Sequence, residues 1–449
     1  MRSLISGGSD RGRPPSSRTA TALLMGAAVF NAVGNLAFHA IVARRGGAGG
    51  YGVVAAVLSF GTVASAVAAG AQFAIARRVA QRTDSMRREL LRSVGPLGMW
   101  IGVSVLLALA SGPTASYLHL RQATAVLYAV CYFMVNIVQA VPMGALVGDR
   151  RFGWFAICIV VSVVVRLGIA LPLGAAAATG AGAAGTSVVA TLAASVLALV
   201  VAVSHDRVRD PGHGTPTPSS SWQLAFEGTG GALLGGCLWI VWVVPVVFAR
   251  HYLSPSLAGR FGASQLIASG VLFLGGAVTT AFFPAVAVQK GRSALVSGLR
   301  TAAGVSAACV VGYVTLSPVV IRLLYGRAFV ESMGVLLGLG VSVGLASIST
   351  SFLWLSRARQ ESTLTLSLGC LAAVAWEMAS GLLLHGALSL AVEPAVAFLV
   401  GLAVVLIVRV GSAASDRRRR AGELPDRISA RGAGPMSRPL HEGSSSTIA

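Results

Sequence analysis

Apolar residues run along this chain in long blocks, broken by short segments where arginine, glycine and proline gather. A helix that crosses the hydrocarbon of a bilayer needs about 20 predominantly apolar residues. On that measure the blocks predict twelve spans. They fall near 20–43, 52–76, 93–111, 122–147, 153–174 and 183–204, then near 223–249, 257–285, 299–321, 330–355, 363–385 and 391–410. Between the two sets lies DRVRDPGHGTPTPSSS, from Asp206 to Ser221, whose proline, glycine and serine mark a connection and not a packed element. The predicted organisation is therefore a tail (1–19), a first six-helix lobe (20–204), a linker (205–222) and a second six-helix lobe (223–410). A basic tail (411–449), with four successive arginines from Arg417 to Arg420, is expected to be disordered.

Composition agrees with the pattern. Hydrophobic residues make up 55% of the 449 and charged residues 11%, against about 25% charged in a soluble domain. The formal charge of +20 would suit nucleic acid, but the basic residues lie between apolar runs and no nucleic-acid motif occurs, so no nucleic-acid partner is expected. Orientation explains them better, because cytoplasmic loops carry the excess of lysine and arginine. With the N-terminus inside, only Arg44, Arg45, Arg121, Arg250, Arg260, Arg322 and Arg327 of the 35 basic residues fall in outer loops. Arg166 falls inside a span, and six arginines crowd the inner loop from Arg77 to Arg92. Both termini are thus expected in the cytoplasm of a multi-pass plasma-membrane protein. Trp154 and Trp222 stand at the inner ends of their spans, where an aromatic belt would form. Arginines precede the first apolar run, as in a signal peptide, but the run is too long for one and reads as a retained span. Cys131, Cys158, Cys237, Cys309 and Cys370 lie singly in apolar runs with no CxxC pair, so they read as small buried hydrophobes and no metal site or disulfide is expected.

The stretch GAGGYG, Gly47 to Gly52, fits the dinucleotide pattern GxGxxG. That pattern needs a preceding strand and an acid about 20 residues on; here apolar helices flank it and Gln72 stands at that distance. It reads as a tight outer turn, and it opens an internal repeat. VARRGGAGGYGVVAAVLSFG is echoed by FARHYLSPSLAGRFGASQLIASG, with Ala43-Arg44 against Ala249-Arg250 and Tyr51-Gly52 against Phe261-Gly262. RLGIALPLG, from Arg166, is echoed by EMASGLLLHG, from Glu377. Six spans per half, starting on the same side, make this a parallel repeat of the kind transporters use.

Several pieces resemble the polysaccharide flippases of the MOP (multidrug, oligosaccharidyl-lipid, polysaccharide) superfamily. ARRGGAGGYG is similar to that family's first outer turn, and MGALVGDRRFGWFAI (Met143 to Ile157) to its turn between the fourth and fifth helices. VIRLLYGRAFVESMGVLLGL (Val320 to Leu339) resembles its turn between the ninth and tenth. The resemblance implies an all-α integral membrane fold of twelve helices in two lobes around a central cavity. It also implies transport of an oligosaccharide or polysaccharide precursor on a polyprenyl-phosphate-type lipid, with a proton or sodium ion as a plausible coupling partner. The lipid II branch of the family carries arginines in the helices that line the cavity. The first, second, seventh and eighth spans here have none near mid-membrane, which argues against lipid II as cargo.

Polar groups in hydrocarbon are costly and so are functional candidates. Asn31, Asn35 and His39 are spaced four apart and share one face of the first span. They are candidates for binding sugar hydroxyls or phosphate, against a reading as interhelical hydrogen bonds. Gln72 and Gln265, on the second and eighth spans, are further cavity candidates. Glu227, at the inner start of the seventh, suits either a gate or the helix dipole. Arg166 and Glu377 sit near mid-span at equivalent places of the repeat and are candidates for anion binding and ion coupling. The resemblance implies that the helices carrying them flank the lobes and do not line the centre. Asn136 and Gln139 lie one turn apart before Pro142, where a structural role is favoured.

Two other classes remain open. A drug/cation antiporter of the same superfamily would want an acid within a lobe, and acids are few. A polytopic membrane glycosyltransferase would want acids on long outer loops, and here those loops are short, with only Glu331 and Glu393 assigned to them. No Walker A segment is present, and neither a cofactor nor an enzymatic reaction is expected.

Overall fold

The computed structural model describes residues 17–80, 94–120, 123–204, 221–289, 292–359 and 363–432. Those residues are helical, with no strand among them. The first half comprises α1 (Ser17–Ala80), α2 (Val94–Leu109), α3 (Ser111–Tyr117), α4 (Thr124–Gly148), α5 (Phe152–Leu173) and α6 (Gly180–Ser204). The second comprises α7 (Ser221–Tyr252), α8 (Pro255–Gln289), α9 (Arg292–Leu324), α10 (Met333–Ala358), α11 (Thr363–Leu383) and α12 (Ala387–Gly432). Ten of these helices are long and apolar enough to cross a membrane, or eleven with α2 and α3 taken as one span bent by 56°.

α1 absorbs the first two expected spans. It is two helices joined across a kink at Gly47, whose φ of 63° and ψ of 177° are non-helical. A residue with a Cβ is strained there. The expected turn at GAGGYG is therefore compressed to one glycine, with helix resuming at once. The third expected span is bent, not straight: it breaks between Leu109 and Ser111. α12 starts at Ala387, earlier than the expected 391, and Glu393 stands in its second turn. That acid was assigned to an outer loop, but it lies in the helix and is buried. At the other end α12 continues to Gly432, into the segment expected to be disordered.

Burial separates central from peripheral helices. The apolar windows of α4 and α7 are each 61% buried, whereas those of α5 and α9 bury only 22% and 17%. Peripheral faces carry exposed Val164, Leu171, Leu316 and Leu323, as a lipid-facing surface does. Within the first half α1 packs on α4 and α5, and α6 on α4 and α5. Within the second, α8 packs on α9 and α10, and α12 on α10 and α11. The halves meet chiefly where α1 lies against α7 and α8.

That seam is closed at both ends. At the Gly47 end Tyr51 is buried edge-on against Tyr325 and Phe329. Beside it α8 approaches so closely that a Cβ at Gly259 would collide with the Ala48 carbonyl. At the Ala80 end Phe73 of α1 stacks on Phe283 of α8 at 4.7 Å and lies 4.9 Å from Trp354 of α10. Among the cysteines, Cys158 and Cys370 are buried, but Cys131 is exposed, contrary to a reading as a buried hydrophobe.

Candidate functional site

Between the two closures lies a cavity of about 370 Å³, bounded by α1, α4, α5, α6, α7 and α8. Asn31, Asn35 and His39 all face it, so the four-residue spacing did mark one cavity-lining face of α1. Gln72 and Gln265 line it too.

Arg166 also reaches the cavity, which corrects the expectation that its helix would keep it from the centre. α5 is peripheral by burial, but the long arginine stem carries the guanidinium inward over the Phe38 ring, 5.7 Å from its centroid. There Nη1 donates to Asn35 Oδ1 at 2.9 Å, while Nε is buried without a hydrogen-bond partner. One turn on, His39 Nδ1 is hydrogen-bonded to Tyr51 Oη at 2.9 Å. Thus a cation and its amide orienter stand next to a histidine tied to the closed end.

The opposite wall comes from the second half. Trp239, Trp242 and Phe273 face the cavity, with Trp239 and Phe273 tilted at 6.2 Å between centroids. Trp242 Nε1 donates to Ser269 Oγ at 2.9 Å, and Ser269 Oγ donates to the Gln265 carbonyl at 2.9 Å. Gln265 Nε2 donates to the Trp242 carbonyl, and its Oε1 is buried and unpartnered. The Gln265 side chain is 2% exposed, so the wall holds it and little of it is offered to a ligand.

On α4, Asn136 Nδ2 donates to the Tyr132 carbonyl at 2.7 Å and its Oδ1 accepts from Ser65 Oγ at 3.0 Å. Both ends of the amide are used, in keeping with a structural role. Gln139 lines the cavity beside it. Glu377 is not brought to the cavity and does not meet Arg166. It is wholly buried on α11, and both its carboxylate oxygens and both of Glu393's lack hydrogen-bond partners. The side chain of Glu227 lies outside the described residues.

The aromatic wall and Tyr51 were missed from sequence. Tyr51 had a signal, since it stands in the repeated outer turn. Trp239 and Phe273 had none: an aromatic residue in an apolar helix looks the same facing lipid or cavity.

No protein-family model matches the sequence, and no curated protein matches it. Among solved structures, the chain is similar to the lipid II flippase MurJ in an inward closed conformation. The TM-score is 0.63 at 12% identity, over 86% of this chain and 87% of that one. It is also similar to an outward-facing multidrug resistance MATE family transporter of the MOP superfamily, with a TM-score of 0.60 at 16% identity, over 91% and 98%. A third is a MOP superfamily transporter from Pyrococcus furiosus, with a TM-score of 0.61 at 16% identity, over 88% and 96%; its reversed binding-pocket polarity suggests a different function. Identities this low show a shared fold. The chain is a multi-pass membrane protein with the fold of MOP-superfamily transporters.

Proposed function

We propose that this chain flips a lipid-linked oligosaccharide or polysaccharide precursor from the cytoplasmic to the outer leaflet. We count α1 as two spans split at Gly47 and α2 with α3 as one, for twelve spans in two six-helix lobes related by a parallel repeat. Both termini face the cytoplasm of the plasma membrane, the Gly47 end faces out, and the cavity opens to each side in turn. The headgroup crosses inside it while the lipid tail stays in the bilayer, and no covalent step is involved.

The observation that carries this reading is the chemistry of the cavity lining. Its described residues hold amides, hydroxyls and a single arginine, with no carboxylate among them. Amides and hydroxyls suit sugar hydroxyls, a guanidinium suits the phosphate that links sugar to lipid, and Trp239 with Phe273 offers ring faces to a sugar. A cationic drug would meet Arg166 as a like charge. The second reading, a drug/cation antiporter, has one observation in its favour: the unpartnered carboxylates of Glu377 and Glu393 are acids buried within a lobe. Under either reading they are the candidates for a coupling proton or sodium ion.

The test is a vesicle assay that follows a fluorescent polyprenyl-phosphate-linked glycan between leaflets. The wild-type chain should accelerate its movement. Arg166→Gln should lower the rate about tenfold or more, since a charge-assisted hydrogen bond contributes roughly 1.5–3 kcal/mol. A wild-type protein that leaves the glycan in place but exchanges protons for organic cations would replace this reading with the antiporter.

A further inference from the structure

From the sequence, the arginines of the Gly47 end read only as the few basic residues of the outer loops. Their hydrogen bonds say more. Arg44, at the end of the first arm of α1, crosses to the other half: Nε donates to the Leu324 carbonyl at 2.6 Å and Nη2 to the Leu323 carbonyl at 2.5 Å. Those are the last two residues of α9. The chain beyond them turns at Gly326, where Tyr325 N and Gly326 N both donate to the Ile321 carbonyl. The Leu323 and Leu324 carbonyls thus have no helical donor, and they stand at the negative end of the helix dipole.

The same arrangement runs in the opposite direction. Arg250, in the last turn of α7, crosses from the second half to the first and donates from Nε to the Leu118 carbonyl at 3.3 Å. Its neighbour His251 is hydrogen-bonded through Nδ1 to the Tyr117 carbonyl at 3.0 Å, and only the ring nitrogen can donate. Tyr117 ends α3 and Leu118 caps it. Here too the chain turns away, with His119 N donating to Ser116 O and Leu120 N to Ala115 O. Arg44 and Arg250 are 206 residues apart, and so are Tyr117 and Leu323, and Leu118 and Leu324. Equivalent donors in the two halves cap equivalent helix ends, each in the other half.

We propose that Arg44 and Arg250 are a reciprocal pair of latches that hold the outer side of the transporter closed, and that both release when the cavity opens outward. The proposal rests on the orientation and alternating access given above. Arg45 supplies an internal control. It adjoins Arg44 but donates to the Ala170 and Leu171 carbonyls of α5, at 3.2 and 3.5 Å, inside its own half. Opening the seam need not break that cap.

The experiment reads conformation and needs no substrate, so it can fail while glycan flipping stands, or stand while flipping fails. A single reporter, Thr62→Cys on the cavity wall, is placed in a chain whose five native cysteines are replaced. A membrane-impermeant maleimide is then applied from the outside. Arg44→Ala with Arg250→Ala should raise the labelling rate about tenfold, as expected when roughly 1.4 kcal/mol is lost from one side of a two-state equilibrium. Arg44→Lys with Arg250→Lys should return it toward wild type, and Arg45→Ala should leave it unchanged. The latch is excluded if the double alanine variant elutes as a folded protein and labels at the wild-type rate. It is equally excluded if Arg45→Ala accelerates labelling as much, because general loosening would then be the cause. Should the double variant not fold, Arg44→Ala alone decides, with a rise or no rise read the same way.

Discussion

The two closures of the seam between the halves use different physics. At the Gly47 end, arginines reach across to helix-end carbonyls and two backbones touch at Gly259 and Ala48. At the Ala80 end the contact is a stack of rings, Phe73 on Phe283 and beside Trp354, with Val286 and Leu355 buried around them. The polar closure is directional. Each hydrogen bond exists or does not, water can replace it when it breaks, and exposed pairs contribute little individually. The aromatic closure is non-directional and scales with the apolar area it hides. An alternating transporter needs two closures that are not both permanent. These two would respond differently to mutation: the ring stack to loss of volume, the backbone contact to gain of it.

The largest effect is expected at the ring stack. Phe73→Ala removes the ring that joins α1 to both α8 and α10, and truncations of this kind cost about 3–5 kcal/mol. It should lower the thermal midpoint in detergent and raise labelling of Thr62→Cys by a reagent confined to the cytoplasmic side of vesicles. Unchanged cytoplasmic labelling in a folded Phe73→Ala variant would mean that this stack is not a closure at all. The opposite end takes the opposite change. Gly259→Ala adds a methyl where only the Ala48 carbonyl has room, and overpacking of this sort costs about 1–3 kcal/mol. Because the neighbour is backbone and cannot rotate away, the helices at the Gly47 end should be forced apart. Labelling from outside should rise while the midpoint falls less than for Phe73→Ala. Equal effects of the two variants on both sides would erase the distinction between the closures.

The sequence made some of this legible. Apolar length located the helices, and the four-residue spacing of Asn31, Asn35 and His39 located a cavity face, because a helix turns that spacing into a stripe. The place of Arg166 was not legible, since a long flexible side chain can work far from its own backbone. Nor were the latches: arginine at a loop looks the same whether it points to water or to a carbonyl on another helix. Glu393 was counted with the loop acids although it stands just inside the expected span, where a helix boundary uncertain by a few residues leaves loop and helix hard to tell apart.

The smallest effect is expected at Asn136, which lines the cavity but belongs to neither closure. Its amide is fully engaged, donating to the Tyr132 carbonyl and accepting from Ser65 Oγ. Ser65 has a second acceptor in the Gly61 carbonyl at 3.0 Å, so it is not orphaned when the amide goes. Interhelical hydrogen bonds within membranes contribute about 0.6 kcal/mol on average and less than 2 kcal/mol at most. Asn136→Leu should therefore lower the thermal midpoint only slightly, leave labelling of Thr62→Cys unchanged from both sides, and leave flipping within about twofold of wild type. A large loss of flipping with an unchanged midpoint would show instead that this amide turns toward the passing headgroup. The polar stripe of the cavity would then extend from α1 onto α4.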